Sequence, residues 1–152
     1  MLYATDAGWW RQYGKEAAEK FQGTLYGYNG NGSQFGALKV VGDAGRGGLH
    51  PDPQRIYTQA NSGGALIHFA RNKGAKRIIL LGYDFAFTGG KAHWHGNHEG
   101  NLGNAGSLKD WFPHMRKLAS DLKAEGVEVI NCSRHTALDC FERRNLTDAL
   151  EC

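Results

Sequence analysis

Apolar and polar positions recur along this chain with two different periods, and the periods alternate. Leu2 to Thr5 is a short apolar opening that reads as a strand. Asp6 then stands where a helix cap belongs, ahead of a helix predicted from Ala7 to Phe21, in which Trp10, Tyr13, Ala17 and Phe21 recur at helical spacing. Gly23 ends that helix. Thr24 to Tyr28 and Ala37 to Val41 are strand-like, and the connector NGNGSQFG between them is rich in residues that tolerate positive φ. Gly42 to Ala60 reads as one long loop without regular structure.

Asn61, Ser62, Gly63 and Gly64 open a second helix whose buried stripe is Leu66, Phe69 and Ala70, closed by Gly74. Arg77 to Leu81 is a continuous apolar run of the kind buried on both faces of a parallel sheet, so a central strand is expected there. After another long loop, Asp110 is placed to cap a third helix, with Pro113 in its first turn and Met115, Leu118, Ala119 and Leu122 on its inner face. Gly126 stops it, and Val127 to Ile130 reads as the next strand. Thr136 to Leu150 reads as short helical turns packing Leu138, Phe141, Leu146 and Leu150. Strand, helix, strand, helix, strand implies right-handed crossovers, and the fold expected is α/β: a three-layer Rossmann-like domain with a mostly parallel sheet.

Composition narrows the picture. At 152 residues with 41% hydrophobic positions, the chain is one domain's worth, read as a single unit over residues 1–152. Twenty-two glycines are about twice the usual share, yet they gather in loops rather than in a repeat. No run of 18 apolar residues occurs and the opening MLYATDAGWW has no basic-then-apolar order, so neither a membrane span nor a signal peptide is expected and the reading is cytoplasmic. Three cysteines without CxxC spacing exclude a zinc knuckle and a disulfide framework. A net charge of +3, scattered, is too small for a duplex-binding footprint, whereas anionic small molecules remain open.

In a parallel sheet, helices start and strands finish at the same carboxyl edge. That geometry groups Thr5, Asp6 and Trp9, then Asn61 to Gly64, then Gly82, Asp84 and Phe85, and finally Asn131 and Ser133, as one expected site. The NSGG segment has free N–H groups and a positive helix end suited to an anion; equally, Asn61 or Ser62 simply caps the helix. Asp84 ends an apolar strand, where a carboxylate accepts from a sugar hydroxyl, holds a metal ion, or fixes a turn. The loop from Gly89 to Gly106 holds His93, Trp94, His95 and His98, which suit proton transfer or phosphate contact, a divalent or transition-metal site, or a plain surface. Its HxHxxH spacing partly resembles the HxHxDH of metallo-β-lactamase-like hydrolases, with Asn97 at the aspartate position. Trp9, Trp10 and Trp94 stack on a base only if they face the site, and Trp10 is expected in the core. His135 has no evident partner, and Arg143 with Arg144 reads as a solvated face. No G-x-S-x-G, GxGxxG after a strand, or GxxxxGK[ST] is present, which excludes the commonest nucleophile elbow and phosphate grips.

The run NSGGALIHFARNKGAKRIILLGYDFAF, followed by GGKAHWHG, resembles a signature shared by three groups. These are bacterial CMP-sialic-acid-dependent sialyltransferases, motility accessory factor glycosyltransferase-like proteins and 6-hydroxymethylpterin diphosphokinase-like proteins. The resemblance covers residues 61–98, with weaker similarity in LYATDAGWW and VEVINCSRHTAL, and the whole chain also resembles small phage-encoded proteins. It implies a nucleotide or nucleotide-sugar ligand, with Ser62 and Gly63 near phosphate or ribose and Asp84 and Phe85 on the sugar-facing wall. It also implies His95 or His98 as the base of a glycosyl or phosphoryl transfer. The Gly-rich, Ser-containing loop that wraps the nucleotide in these groups has no counterpart after Met1. Substitution by a partner subunit or by NGNGSQFG, sequestration of a nucleotide without turnover, or a shortened relic are the resulting expectations. A metal-dependent phosphoesterase on His93, His95 and His98 is a further alternative, and exposed edge strands suggest a homo-oligomer.

Overall fold

The computed structural model describes residues 1–87 and 108–151. Every strand pairing in it is parallel, in three small sheets, so the protein is of the α/β class. Strands β1 (Leu2–Ala4), β2 (Leu25–Tyr28) and β3 (Leu38–Val40) form one sheet in the order β1-β2-β3. Helix α1 (Ala7–Lys20) returns from β1 to β2 and packs Trp10 against Ala4 and Leu25, while Tyr3 and Tyr26 point the other way, toward Phe69. Alternation along the strands thus gives this sheet a helix on each face.

The apolar stripe expected on α1 is displaced by about one residue. Trp10 is buried at 1% exposure, its indole N–H donating to the Ala4 carbonyl, and the second buried residue is Gly14, not Tyr13. Phe35, from a 3-10 turn at Ser33–Phe35, lies over Gly14, where any Cβ would enter its ring. Tyr13, Ala17 and Phe21 are left half-buried. Asp6 precedes the helix without a capping side-chain bond.

Gly42 to Ala60, expected to be irregular, contains a third pairing: β4 (Gly42–Asp43) beside β5 (Ile56–Tyr57). Two residues per strand leave no room for an alternation to be seen. Helix α2 (Ser62–Asn72) follows, and it buries Ala65 and Phe69 with Val40 and Ile56 on one side and Ile67 with Leu80 and Met115 on the other.

Strand β6 (Arg77–Leu80) pairs with β7 (Glu128–Asn131), which pairs with β8 (Glu142–Arg143). The apolar run was expected to be central, yet among the described residues β6 pairs on one side only; Ile78 and Ile79 are half-buried and Leu81 is 59% exposed. Helix α3 (Leu108–Ala124) places Met115, Leu118 and Leu122 against this sheet, each at 1% exposure or less. Each such side chain contributes about 1.5–3 kcal/mol relative to exposure. Asp110 lies within the first turn of α3 rather than before it. Instead of helical turns from Thr136, the chain forms β8 and then the short helix α4 (Leu146–Leu150). Leu138, Phe141 and Ala149 are buried there, and Leu146 and Leu150 are exposed. No helix among the described residues is long and apolar enough to cross a membrane.

Candidate binding site at the carboxyl ends of β6, β7 and β8

Three neighbouring parallel strands end side by side, and the residues that follow them surround a cavity of about 1020 Å³. After β6 come Leu81, Gly82 and Asp84; after β7 come Cys132, Ser133, Arg134 and His135; the end of β8 supplies Arg143, the turn beyond it Arg144 and Asn145, and α4 Leu146 and Asp148. This is the edge at which ligands of open α/β sheets bind.

Hydrogen bonds knit the first two of these loops together. The Tyr83 N–H donates to Ser133 Oγ at 2.8 Å, and the Thr136 hydroxyl donates to the Tyr83 carbonyl at 2.7 Å. The Ala137 N–H reaches the Asp84 carbonyl at 2.8 Å. Asn131, fully buried, accepts from the Ser133 N–H and donates to Thr136 Oγ1, so its amide organises the loop. Asp84 is held by its backbone while its carboxylate makes no hydrogen bond or ion pair among the described residues.

The two consecutive arginines differ. Arg144 is paired with Glu142 at 2.6 Å and Glu128 at 3.3 Å and ties β8 to β7. Arg143 has no carboxylate partner among the described residues: its Nη2 donates to the carbonyls of Ser133 and Arg134, each at 3.2 Å. Arg134 and His135 are exposed, and their side chains make no ion pair or hydrogen bond among the described residues.

The other residues expected at the site do not line this cavity. Asn61 caps α2, its Oδ1 accepting from the Gly64 N–H at 2.7 Å and its amide donating to the Gln59 carbonyl. Ser62 reaches Asp6 at 3.4 Å. It is Tyr83, not Asp84, that extends from the GYDF turn to this helix start, its hydroxyl donating to the Gly63 carbonyl at 3.1 Å. Burial pushes the Tyr83 phenol up to about 12, so it stays protonated and a donor. A Cβ at Gly64 would collide with Gln59 and Met115, so that glycine serves close packing. Asn61 to Gly64 are not among the residues that line this cavity.

Thr5 accepts at its carbonyl from the Asn31 amide at 2.7 Å. Trp9 lines a separate apolar groove of about 330 Å³ with Leu2, Tyr13 and Phe21. Phe85, at φ +49°, turns away to meet Trp111 and Phe112 edge-on. The NGNGSQFG connector is occupied internally: Asn29 exchanges two bonds with Gly42, and Gly32 lies beneath Trp10. His93, Trp94, His95 and His98 lie outside the described residues. No cluster of His, Cys, Asp and Glu suited to a metal ion occurs among the described residues.

Of the expected residues, Gly82, Asp84 and Ser133 come together; Arg134, His135, Arg143 and Asp148 are additions. The signal for Arg134 and His135 was their position, since they lie just beyond Asn131, the last residue of a recognisable strand. Scans against protein-family models, curated proteins and solved structures found no match to this chain.

Proposed function

We propose that this chain is a nucleotide or nucleotide-sugar binding domain whose ligand occupies the cavity beyond β6, β7 and β8. One observation supports the reading: a ligand-sized hollow at a parallel sheet's carboxyl edge, in which Arg134, His135 and Arg143 present donors without acidic partners among the described residues. The class of ligand comes from the resemblance over residues 61–98, and the cavity chemistry is compatible with it. On this reading the small parallel sheets are parts of one three-layer Rossmann-like arrangement, and the protein works in the cytoplasm.

Glycosyl or phosphoryl transfer from the bound ligand would draw its base from His95 or His98. Holding the nucleotide unchanged would need only the described wall. Titration calorimetry against CMP, CMP-sialic acid, ATP and ADP-ribose tests the reading: saturable heat with at least one is expected, and none with any overturns it. Ligand recovered intact after denaturation assigns sequestration; a new product by chromatography assigns transfer, which His95→Ala and His98→Ala together should abolish without loss of binding.

A further inference from the structure

The cavity lining carries both signs of charge: Arg134, Arg143 and Arg144 on one hand, and Asp84 and, from α4, Asp148 on the other. Its β8 wall carries Arg143, whose five N–H donors lie in a rigid fork. Nη2 gives its two hydrogens to the carbonyls of Ser133 and Arg134, which fixes the plane of the guanidinium. The Nε and Nη1 donors have no partner among the described residues, and Arg134 is a second cation on the cavity lining. The neighbouring Arg144 shows the contrast, because Glu128 and Glu142 already compensate its charge. The wall beyond β6 presents a carboxylate, Asp84, whose backbone is pinned by Ala137. Strand β7 separates the two walls, so β6 and β8 run about 10 Å apart.

A planar guanidinium prefers to meet two phosphate oxygens at once, and a carboxylate accepts from hydroxyls but repels phosphate. From this geometry, and resting on the reading of the cavity as a nucleotide site, we propose an orientation for the ligand. A phosphate monoester or diphosphate sits against Arg143 and Arg134, and the hydroxyls of the attached sugar point to Asp84. The ligand class is thereby a sugar or nucleoside carrying phosphate at one end and free hydroxyls at the other. Arg143 is the residue that discriminates the phosphorylated from the unphosphorylated form.

Calorimetry with adenosine, guanosine, cytidine and uridine and with their 5′-monophosphates tests this on the full chain and on Arg143→Gln, Arg143→Lys and Asp84→Asn, each checked for folding by circular dichroism. For the base that binds, the monophosphate is expected to bind the unmodified chain at least tenfold more tightly than the nucleoside. Arg143→Gln should erase that ratio with the nucleoside affinity unchanged, and Arg143→Lys should retain part of it. Asp84→Asn should weaken nucleoside and nucleotide alike. If the monophosphate binds Arg143→Gln as tightly as the unmodified chain, the orientation is wrong while the nucleotide reading survives. If nothing binds the unmodified chain, both fall. Should Arg143→Gln be unfolded, Arg143→Lys decides: an unchanged ratio there, together with an unchanged ratio in 0.5 M salt, overturns the proposal.

Discussion

His68 sits fully buried on the inner side of α2, and each polar group at its ring is a donor. The His50 N–H lies 3.2 Å from Nε2, the Tyr57 N–H 3.1 Å from Nδ1, and the Gln59 amide 3.4 Å from Nδ1. A neutral imidazole already has one proton too many for this setting. Burial, with Arg71 and His50 adding to it, lowers the ring to about 4. Below about pH 6.5 the unfolded chain takes up a proton there that the folded chain refuses, so stability is full above that value and falls as pH drops toward 4. The loss should reach about 3 kcal/mol. Urea midpoints between pH 7 and 4.5 measure it; His68→Gln, which does not titrate, should flatten the slope, and parallel slopes would contradict the assignment.

Gly14 offers a second test in which two effects oppose each other. Helix propensity favours alanine over glycine by about 1 kcal/mol. The added methyl would enter the ring of Phe35, and overpacking of this kind costs about 1–3 kcal/mol. Gly14→Ala is therefore expected to be neutral to destabilising by up to about 2 kcal/mol in chemical denaturation, and a stabilised variant would show that Phe35 is free to move aside.

Among the elements, those with a visible period were readable and those without were not. β1, α1, β2, α2, β6 and β7 have apolar spacing and glycine stops that mark them within a residue or two. β4, β5 and β8 have two residues each, too few to display alternation, and they are defined by neighbours distant in sequence. Arg143 is exposed, as expected of a solvated face, and only the unpredicted β8 places it on the cavity lining. The NSGG segment was readable in kind, a helix start, though local residues could not decide between cap and anion grip. In the structure Asn61 caps the helix through the Gly64 N–H, and the Tyr83 hydroxyl bonds the Gly63 carbonyl. If capping is the segment's work, Asn61→Ala should cost about 1 kcal/mol of stability and leave nucleotide affinity unchanged. A selective loss of affinity would return the segment to the site.

For the molecule as a whole, the small sheets raise the question of what completes them. Among the described residues β1 and β6 each pair on one side, while α2 packs against the sheets of both. Leu38, Leu81 and Phe87 are more than half exposed, at 54%, 59% and 57%. Strand edges and apolar side chains of this kind favour self-association. A homodimer or larger assembly is the expected outcome in light scattering, and a monomer mass at 100 μM would contradict it.

The central claim is where the ligand binds, and a nucleotide titration followed in two-dimensional amide NMR tests it most directly. Binding in the proposed cavity predicts saturable shifts at Gly82, Asp84, Ser133, Arg134 and Arg143, with Asn61 to Gly64 little changed. Shifts confined to Asn61 to Gly64 and the NGNGSQFG connector, with the residues beyond β7 and β8 silent, would contradict it.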